Sequence, residues 1–155
     1  MAGVKRFRWP LQKLLDVTER QEGVLRAELV SLAVEMEAVA RQMDAGRTAL
    51  SEALAGVAAL SLDERLRRQA AVTAWAQQRQ ADLAAWQRRL EEVAAQRQEV
   101  MQRFIVHRAK RQRLEKLRDE ARRTHQAAAN RQEQKELEEA ARAAAVSRAA
   151  TVTEA

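Results

Sequence analysis

The chain has 155 residues and a net charge of +6, with 46% hydrophobic and 3% aromatic residues. It contains one proline, four glycines and no cysteine, which excludes disulfide bonds and thiolate metal sites. The abundance of Ala, Glu, Gln, Arg and Leu is typical of a long helix or coiled coil rather than of a domain with a thick core.

The first predicted helix spans residues 10–58, after a basic tail of residues 1–9. Pro10 suits its first turn, where the missing N–H costs nothing. Apolar residues then recur along one face at spacings of four and three. The positions of this seam are Leu11, Leu15, Thr18, Glu22, Leu25, Leu29, Leu32, Met36, Val39, Met43, Gly46, Leu50, Ala53, Val57 and Leu60. The mean step of about 3.5 residues predicts a left-handed coiled coil.

A turn is predicted at residues 59–62, because Ser61 and Glu64 have the spacing of a capping box. The second helix is predicted over 63–141, followed by a frayed tail at 142–155. Its seam is less regular than the first. One stripe contains Leu66, Thr73, Ala76, Leu83, Leu90 and Phe104, and an adjoining stripe contains Trp86, Val93, Val100, His107 and Leu114. The predicted fold is all-α, a long antiparallel two-helix coiled-coil hairpin.

If pairing starts at the turn, Trp75 falls opposite Gly46 and can fill the gap left by the glycine. Trp86 is then a possible aromatic docking residue, because tryptophan is favoured at binding hot spots. The same pairing predicts that most of the segment from Lys110 to Arg123 projects past the first helix. Lys5, Arg6 and Arg8 would join it at that end.

Residues 103–123 hold nine Lys/Arg and three acidic residues, so this window alone carries the net charge of the chain. Three interpretations apply to it. It can be a solvated helix face, a nucleic-acid-binding helix, or a positive end that enters an acidic protein surface, where complementary charge orients the partner. Zipper proteins place their basic region before a parallel coiled coil, whereas here it follows the coiled coil.

No motif indicates catalysis. The two histidines, His107 and His125, are eighteen residues apart, and neither they nor the carboxylates have the spacing of a metal site. The glycines are isolated, which excludes a glycine-rich phosphate loop. We therefore expect no enzymatic activity, no metal and no cofactor. No apolar run approaches the roughly 20 residues that span a bilayer, so we expect a soluble, cytoplasmic protein.

Two sequence blocks resemble the FliJ family of bacterial flagellar export proteins. The first is Phe7-Arg8-Trp9-Pro10-Leu11-Gln12-Lys13-Leu14-Leu15-Asp16, which resembles the start of the family. The second is Leu114-Glu115-Lys116-Leu117 followed by the run from Arg131 to Ala140, which resembles its C-terminal signature. The resemblance covers residues 5–141. The family-motif positions carried over are Phe7, Leu11, Leu14, Leu15, Leu114, Leu117, Gln134, Lys135, Glu136 and Leu137.

The resemblance implies a non-enzymatic component of the flagellar type III export apparatus, shaped like the γ-subunit stalk of rotary ATPases. The implied partners are the export ATPase ring, the cytoplasmic domain of the export gate and the export chaperones, and no nucleic acid is expected. The implied location is cytoplasmic, at the inner-membrane gate. The residues predicted to bind the ring are Lys5, Arg6, Arg8, Arg111, Arg118, Arg122 and Arg123. A virulence-system stalk, a nucleic-acid-associated coiled coil and a parallel homodimeric scaffold remain as alternatives.

Overall fold

A computed structural model of the chain describes residues 6–153, with side chains up to residue 149. Two long α-helices, α1 (Gln12–Ala58) and α2 (Leu62–Thr153), pack against each other. This confirms the all-α prediction and is consistent with a helical hairpin. The chain divides into two compact units. The central unit is Arg20–His107, and the terminal unit combines the described residues up to Glu19 with those from Arg108 onward.

The helix boundaries differ from the predicted ones at three ends, by only one residue at the start of α2. Pro10 and Leu11 form a turn before α1, in which the backbone N–H of Gln12 donates to the carbonyl of Trp9 at 3.2 Å. At the other end, α2 continues beyond residue 141 to Thr153. Alanines dominate residues 140–150, and alanine has the highest intrinsic helix propensity, which accounts for the longer helix.

The turn between the helices contains the predicted capping box. The N–H of Glu64 donates to Oγ of Ser61 at 3.4 Å, and the N–H of Ser61 donates to Oε2 of Glu64 at 3.3 Å. The guanidinium of Arg65 donates to the carbonyl of Leu60 in the turn (2.8 Å from Nε) and to that of Ala58, one of the carbonyls that the C-terminus of α1 leaves without a partner in the helix. The turn therefore satisfies backbone groups of both helices.

Ser61→Ala should lower the free energy of unfolding by about 1 kcal/mol, because it removes the acceptor for the Glu64 N–H. Chemical denaturation followed by circular dichroism measures the change. Ser51→Ala is the matched control: Ser51 is exposed within α1, and the substitution there should be neutral or slightly stabilising. Equal effects at the two serines would contradict the capping role.

The seam predicted for α1 is confirmed by burial. Fourteen of its fifteen positions are buried or half-buried, and only Leu11 is exposed. Its two polar members have partners on their own helix. The hydroxyl of Thr18 donates to the carbonyl of Leu14 at 2.8 Å, and the carboxylate of Glu22 accepts from Arg26 at 3.2 Å. Such local bonds allow polar side chains to lie in a buried stripe without an unsatisfied group.

In the central unit, the register differs from the predicted one. A Cβ built at Gly46 would lie 2.7 Å from Cζ3 of Trp86 and 3.3 Å from Cδ2 of Leu83. The prediction that Trp75 packs opposite Gly46 is therefore wrong, because Trp86 occupies that place. Trp75 is 36% exposed, and the guanidinium of Arg79 lies 5.9 Å from its ring centroid.

The register differs because pairing does not start at the turn. All residues from 61 to 71 are exposed, including Leu66, which was predicted to lie in the seam, and Thr73 is exposed as well. Burial on α2 begins at Val72. The most buried residues of α2 are Val93, Val100 and Leu114. All three belong to the second predicted stripe, the one that also contains Trp86 and His107. That stripe is the main seam of α2.

Polar contacts join the two helices of the central unit. Nε of Arg89 on α2 donates to the carboxylate of Glu35 on α1 at 2.8 Å. This hydrogen bond and the charge of Glu35 raise the pKa of Arg89 above its usual value. Arg26 on α1 also places its guanidinium 5.9 Å from the ring centroid of Phe104 on α2. Because residue numbers fall on α1 as they rise on α2 along these contacts, the helices run antiparallel within this unit.

Candidate partner-binding surface of the terminal unit

The N-terminal segment of the terminal unit packs on α2. The ring of Phe7 meets the ring of His125 edge-on, with 5.4 Å between centroids. Leu15 and Thr18 on α1 and Leu114 on α2 are the buried residues of this unit among those described, with Leu15 fully buried. The packing therefore brings the residues before α1 beside the basic part of α2.

The burial of α2 residues in this unit shows that less of α2 projects past the first helix than predicted. Leu114 is buried, and Arg118, Ala121, His125 and Ala129 are half-buried, so the basic segment from Lys110 to Arg123 is packed along one face rather than projecting free. Exposure on every side begins only at Asn130 and continues to residue 149. That exposed stretch carries four basic and four acidic residues and is therefore neutral. The positive charge of the unit lies on its packed part.

The predicted ring-binding residues fall into three groups. Lys5 lies outside the described residues. Arg111 and Arg118 are half-buried and engaged: Arg111 bonds Glu115 at 2.8 Å, and Arg118 lies 3.9 Å from Asp119. Arg6, Arg8, Arg122 and Arg123 are exposed, and none of the four has an ion pair within the described part of the chain.

The Phe7–His125 contact places the backbone segment that carries Arg6 and Arg8 beside the turn of α2 that carries Arg122 and Arg123. Arg6 and Arg8 flank Phe7, and Arg122 lies one helical turn before His125. We call the four arginines the arginine cluster. Beside it, the N-terminal segment forms a concave surface lined by Arg6, Phe7, Arg8, Trp9, Pro10, Gln12 and Lys13. Three cations and two aromatic rings favour an acidic partner that also offers apolar contacts.

The family-motif positions separate into packing residues and exposed residues. Phe7, Leu15 and Leu114 are explained by intrachain packing. Leu11, Leu14 and Leu117 are exposed by 39–49%, and Gln134, Lys135, Glu136 and Leu137 are exposed on the helix surface. The fold itself does not require these seven residues, so they are the ones available to a partner.

Trp86, predicted as a docking residue, is half-buried in the central unit against Gly46. Its packing explains its presence without a partner, although part of the ring remains accessible. The Phe7–His125 contact was not predicted from the sequence, where Phe7 was a family-motif position and His125 had no partner. The segment before α1 has no helical periodicity that could have indicated where it packs.

Comparison with family models, curated proteins and solved structures finds no match to this chain. Across the described residues, neither helix contains an apolar stretch capable of crossing a membrane. In the same residues, no three His, Cys, Asp or Glu side chains are grouped as metal ligands would be.

Proposed function

We propose that this chain is a non-enzymatic component of the bacterial flagellar type III export apparatus that binds the export ATPase ring. The observation that carries the proposal is that the terminal unit exposes both the arginine cluster and motif positions that intrachain packing leaves uncovered. Surface leucines cost solubility when they have no partner, and Leu11, Leu14 and Leu117 lie in the two sequence blocks that resemble the FliJ family.

In this proposal, the terminal unit enters the ATPase ring as a γ-subunit-like stalk does. The arginine cluster steers the unit toward acidic residues of the ring, and the exposed leucines provide the short-range contacts. Because one asymmetric chain would contact a ring of identical subunits, it would favour one subunit conformation at a time. Binding would therefore promote ring assembly or raise the rate of ATP hydrolysis.

The exposed stretch from Asn130 to residue 149 is available to a second partner, which we propose to be an export chaperone or the cytoplasmic domain of the gate. Leu137 is 70% exposed there, and Gln132 and Glu136 are bonded to each other on the same helix at 3.1 Å. The protein would act in the cytoplasm, at the membrane only through the gate. A stalk in a virulence type III system fits the same observations, with a different ATPase as partner.

Charge reversal at the arginine cluster tests the proposal. Purified wild-type chain should raise the ATPase activity of the cognate export ATPase, and the double variant Arg122→Glu, Arg123→Glu should lose most of that gain. The steady-state rate of phosphate release measures both. The control is Arg67→Glu, Arg68→Glu, an adjacent exposed pair on the same helix in the central unit, which should retain the gain. If both double variants lost the gain in ATPase activity equally, the arginine cluster would have no specific role in the stimulation.

A nucleic-acid-associated coiled coil is the competing proposal, since unpaired arginines also suit phosphates. It predicts binding to duplex DNA or RNA whose affinity falls steeply as salt rises. Titration of fluorescent DNA at two salt concentrations distinguishes the two proposals. Tight, salt-sensitive DNA binding together with no effect on the ATPase would favour the nucleic-acid protein.

A further inference from the structure

The face of α1 that points away from α2 in the central unit carries a second heptad stripe. Its apolar positions are Gly23, Ala27, Val30 and Val34, at spacings of four, three and four. Val30 and Val34 are 60% and 59% exposed, and a Cβ at Gly23 would meet nothing within 4 Å. No other described residue of the chain covers this stripe. Valine is a weak helix former, so two exposed valines on this helix face serve neither propensity nor packing within the chain.

Charged residues close the stripe at both ends. Counting the same heptad outward places Arg20 before Gly23 and Glu37 after Val34, and both are exposed. Glu37 forms a surface ion pair with Arg41 at 3.3 Å. Exposed ion pairs within one helix contribute little to stability, so Glu37 can exchange Arg41 for another partner at little cost. The stripe is therefore apolar in its middle, positive at one end and negative at the other.

We propose that this stripe binds a second copy of the chain as an antiparallel coiled coil, with the twofold axis at the level of Glu28 and Leu29. In an antiparallel pair, the two core positions of the heptad face each other across the interface. Arg20 then faces Glu37 of the second copy, Gly23 faces Val34, and Ala27 faces Val30. The twofold axis repeats all three layers.

The residues in each layer favour a second copy of the chain as the partner and favour the antiparallel orientation. Each apolar layer combines a small residue with a valine, so the layers have similar volumes and the helices can approach closely. Each outer layer combines opposite charges. Parallel pairing would instead place Arg20 on Arg20 and Glu37 on Glu37, and like charges across an interface are unfavourable. An interface in which the same patch serves both copies is what a twofold dimer requires. The proposal is independent of the proposed export function.

A charge exchange tests the pairing. Arg20→Glu and Glu37→Arg should each weaken self-association by about tenfold, because each substitution affects two symmetric layers by lost attraction and by repulsion. The double variant Arg20→Glu, Glu37→Arg should restore it to within a few-fold of wild type. Sedimentation over a range of protein concentrations measures the dimer constant. Glu99→Arg, with the same charge change at an exposed position of α2, should leave it unchanged.

Cross-linking tests the orientation, since the chain contains no cysteine of its own. A mixture of Gly23→Cys and Val34→Cys chains should form a mixed disulfide, and Gly23→Cys alone should not. Circular dichroism checks that each variant keeps its helix content. A wild-type chain that stays monomeric at all concentrations, or a Gly23→Cys chain that cross-links to itself, would overturn the proposal.

Discussion

Leu15→Ala is expected to lower the free energy of unfolding by about 2–5 kcal/mol, because Leu15 has no exposed surface and its truncation leaves a cavity in the terminal unit. The measurement is urea denaturation followed by circular dichroism. Its neighbour Leu14 is the matched control, since it is the same residue type on the same helix but 39% exposed. Leu14→Ala should cost less than about 1 kcal/mol.

The same pair of variants separates stability from binding. If Leu14 serves a partner, Leu14→Ala should keep the stability of the chain while reducing its stimulation of the export ATPase. A Leu14→Ala chain that unfolds as readily as Leu15→Ala would show that Leu14 belongs to the core. It would also remove Leu14 from the proposed binding surface.

Gly46→Leu is expected to lower the free energy of unfolding by about 1–3 kcal/mol, although leucine is a better helix former than glycine. The first side-chain atom already meets the rigid indole of Trp86 at 2.7 Å, so the two helices would have to separate. Gly56→Leu is the control, because a Cβ there meets nothing within 4 Å. That substitution should raise stability by up to about 1 kcal/mol.

A second substitution shows whether Trp86 causes the effect. The double variant Gly46→Leu, Trp86→Ala should have a higher free energy of unfolding than Trp86→Ala alone, because the leucine fits into the space that the indole leaves. Equal destabilisation by Gly46→Leu with and without the indole would contradict the contact that sets the register of the central unit.

The first helix could be predicted well because its seam is regular and mostly apolar. The seam from Leu15 to Leu60 repeats with little interruption, and the Ser61–Glu64 box marks the turn with a local, directional interaction. Both signals act over a few residues and can be read without knowing what lies across the interface.

The register between the helices could not be predicted, because it depends on where pairing begins. Leu62 and Leu66 look like seam residues near the turn, but both are exposed, and burial on α2 starts at Val72. The α2 seam also includes polar half-buried residues such as His107, which weakens its apolar period. Because pairing of the helices begins further along α2 than predicted, every predicted contact between them shifts, including the partner of Gly46.

The positive charge of the candidate surface could be predicted from the sequence, but the packing that forms the surface could not. The excess of Lys and Arg between residues 103 and 123 correctly located the positive part of α2. The contact of Phe7 with His125 could not be inferred, since a short irregular segment has no period that fixes its packing. The outer stripe at Val30 and Val34 is also hard to recognise in the sequence, because the stronger inner seam of the same helix already accounts for its heptads.

Buried and exposed leucines alternate within the two sequence blocks. In the first block, Leu15 is buried while Leu11 and Leu14 are accessible. In the second, Leu114 is buried while Leu117 is accessible. An alternation of this kind lets one short stretch both hold the terminal unit together and present apolar side chains on its surface.

The most direct test of the central claim is the binding of the purified chain to the purified export ATPase of the same organism, measured by co-sedimentation at physiological salt. The account predicts a complex that forms with wild-type chain and with Arg67→Glu, Arg68→Glu, and that is lost with Arg122→Glu, Arg123→Glu. A chain that forms no complex with the ATPase, or one that binds equally well after reversal of Arg122 and Arg123, would contradict it.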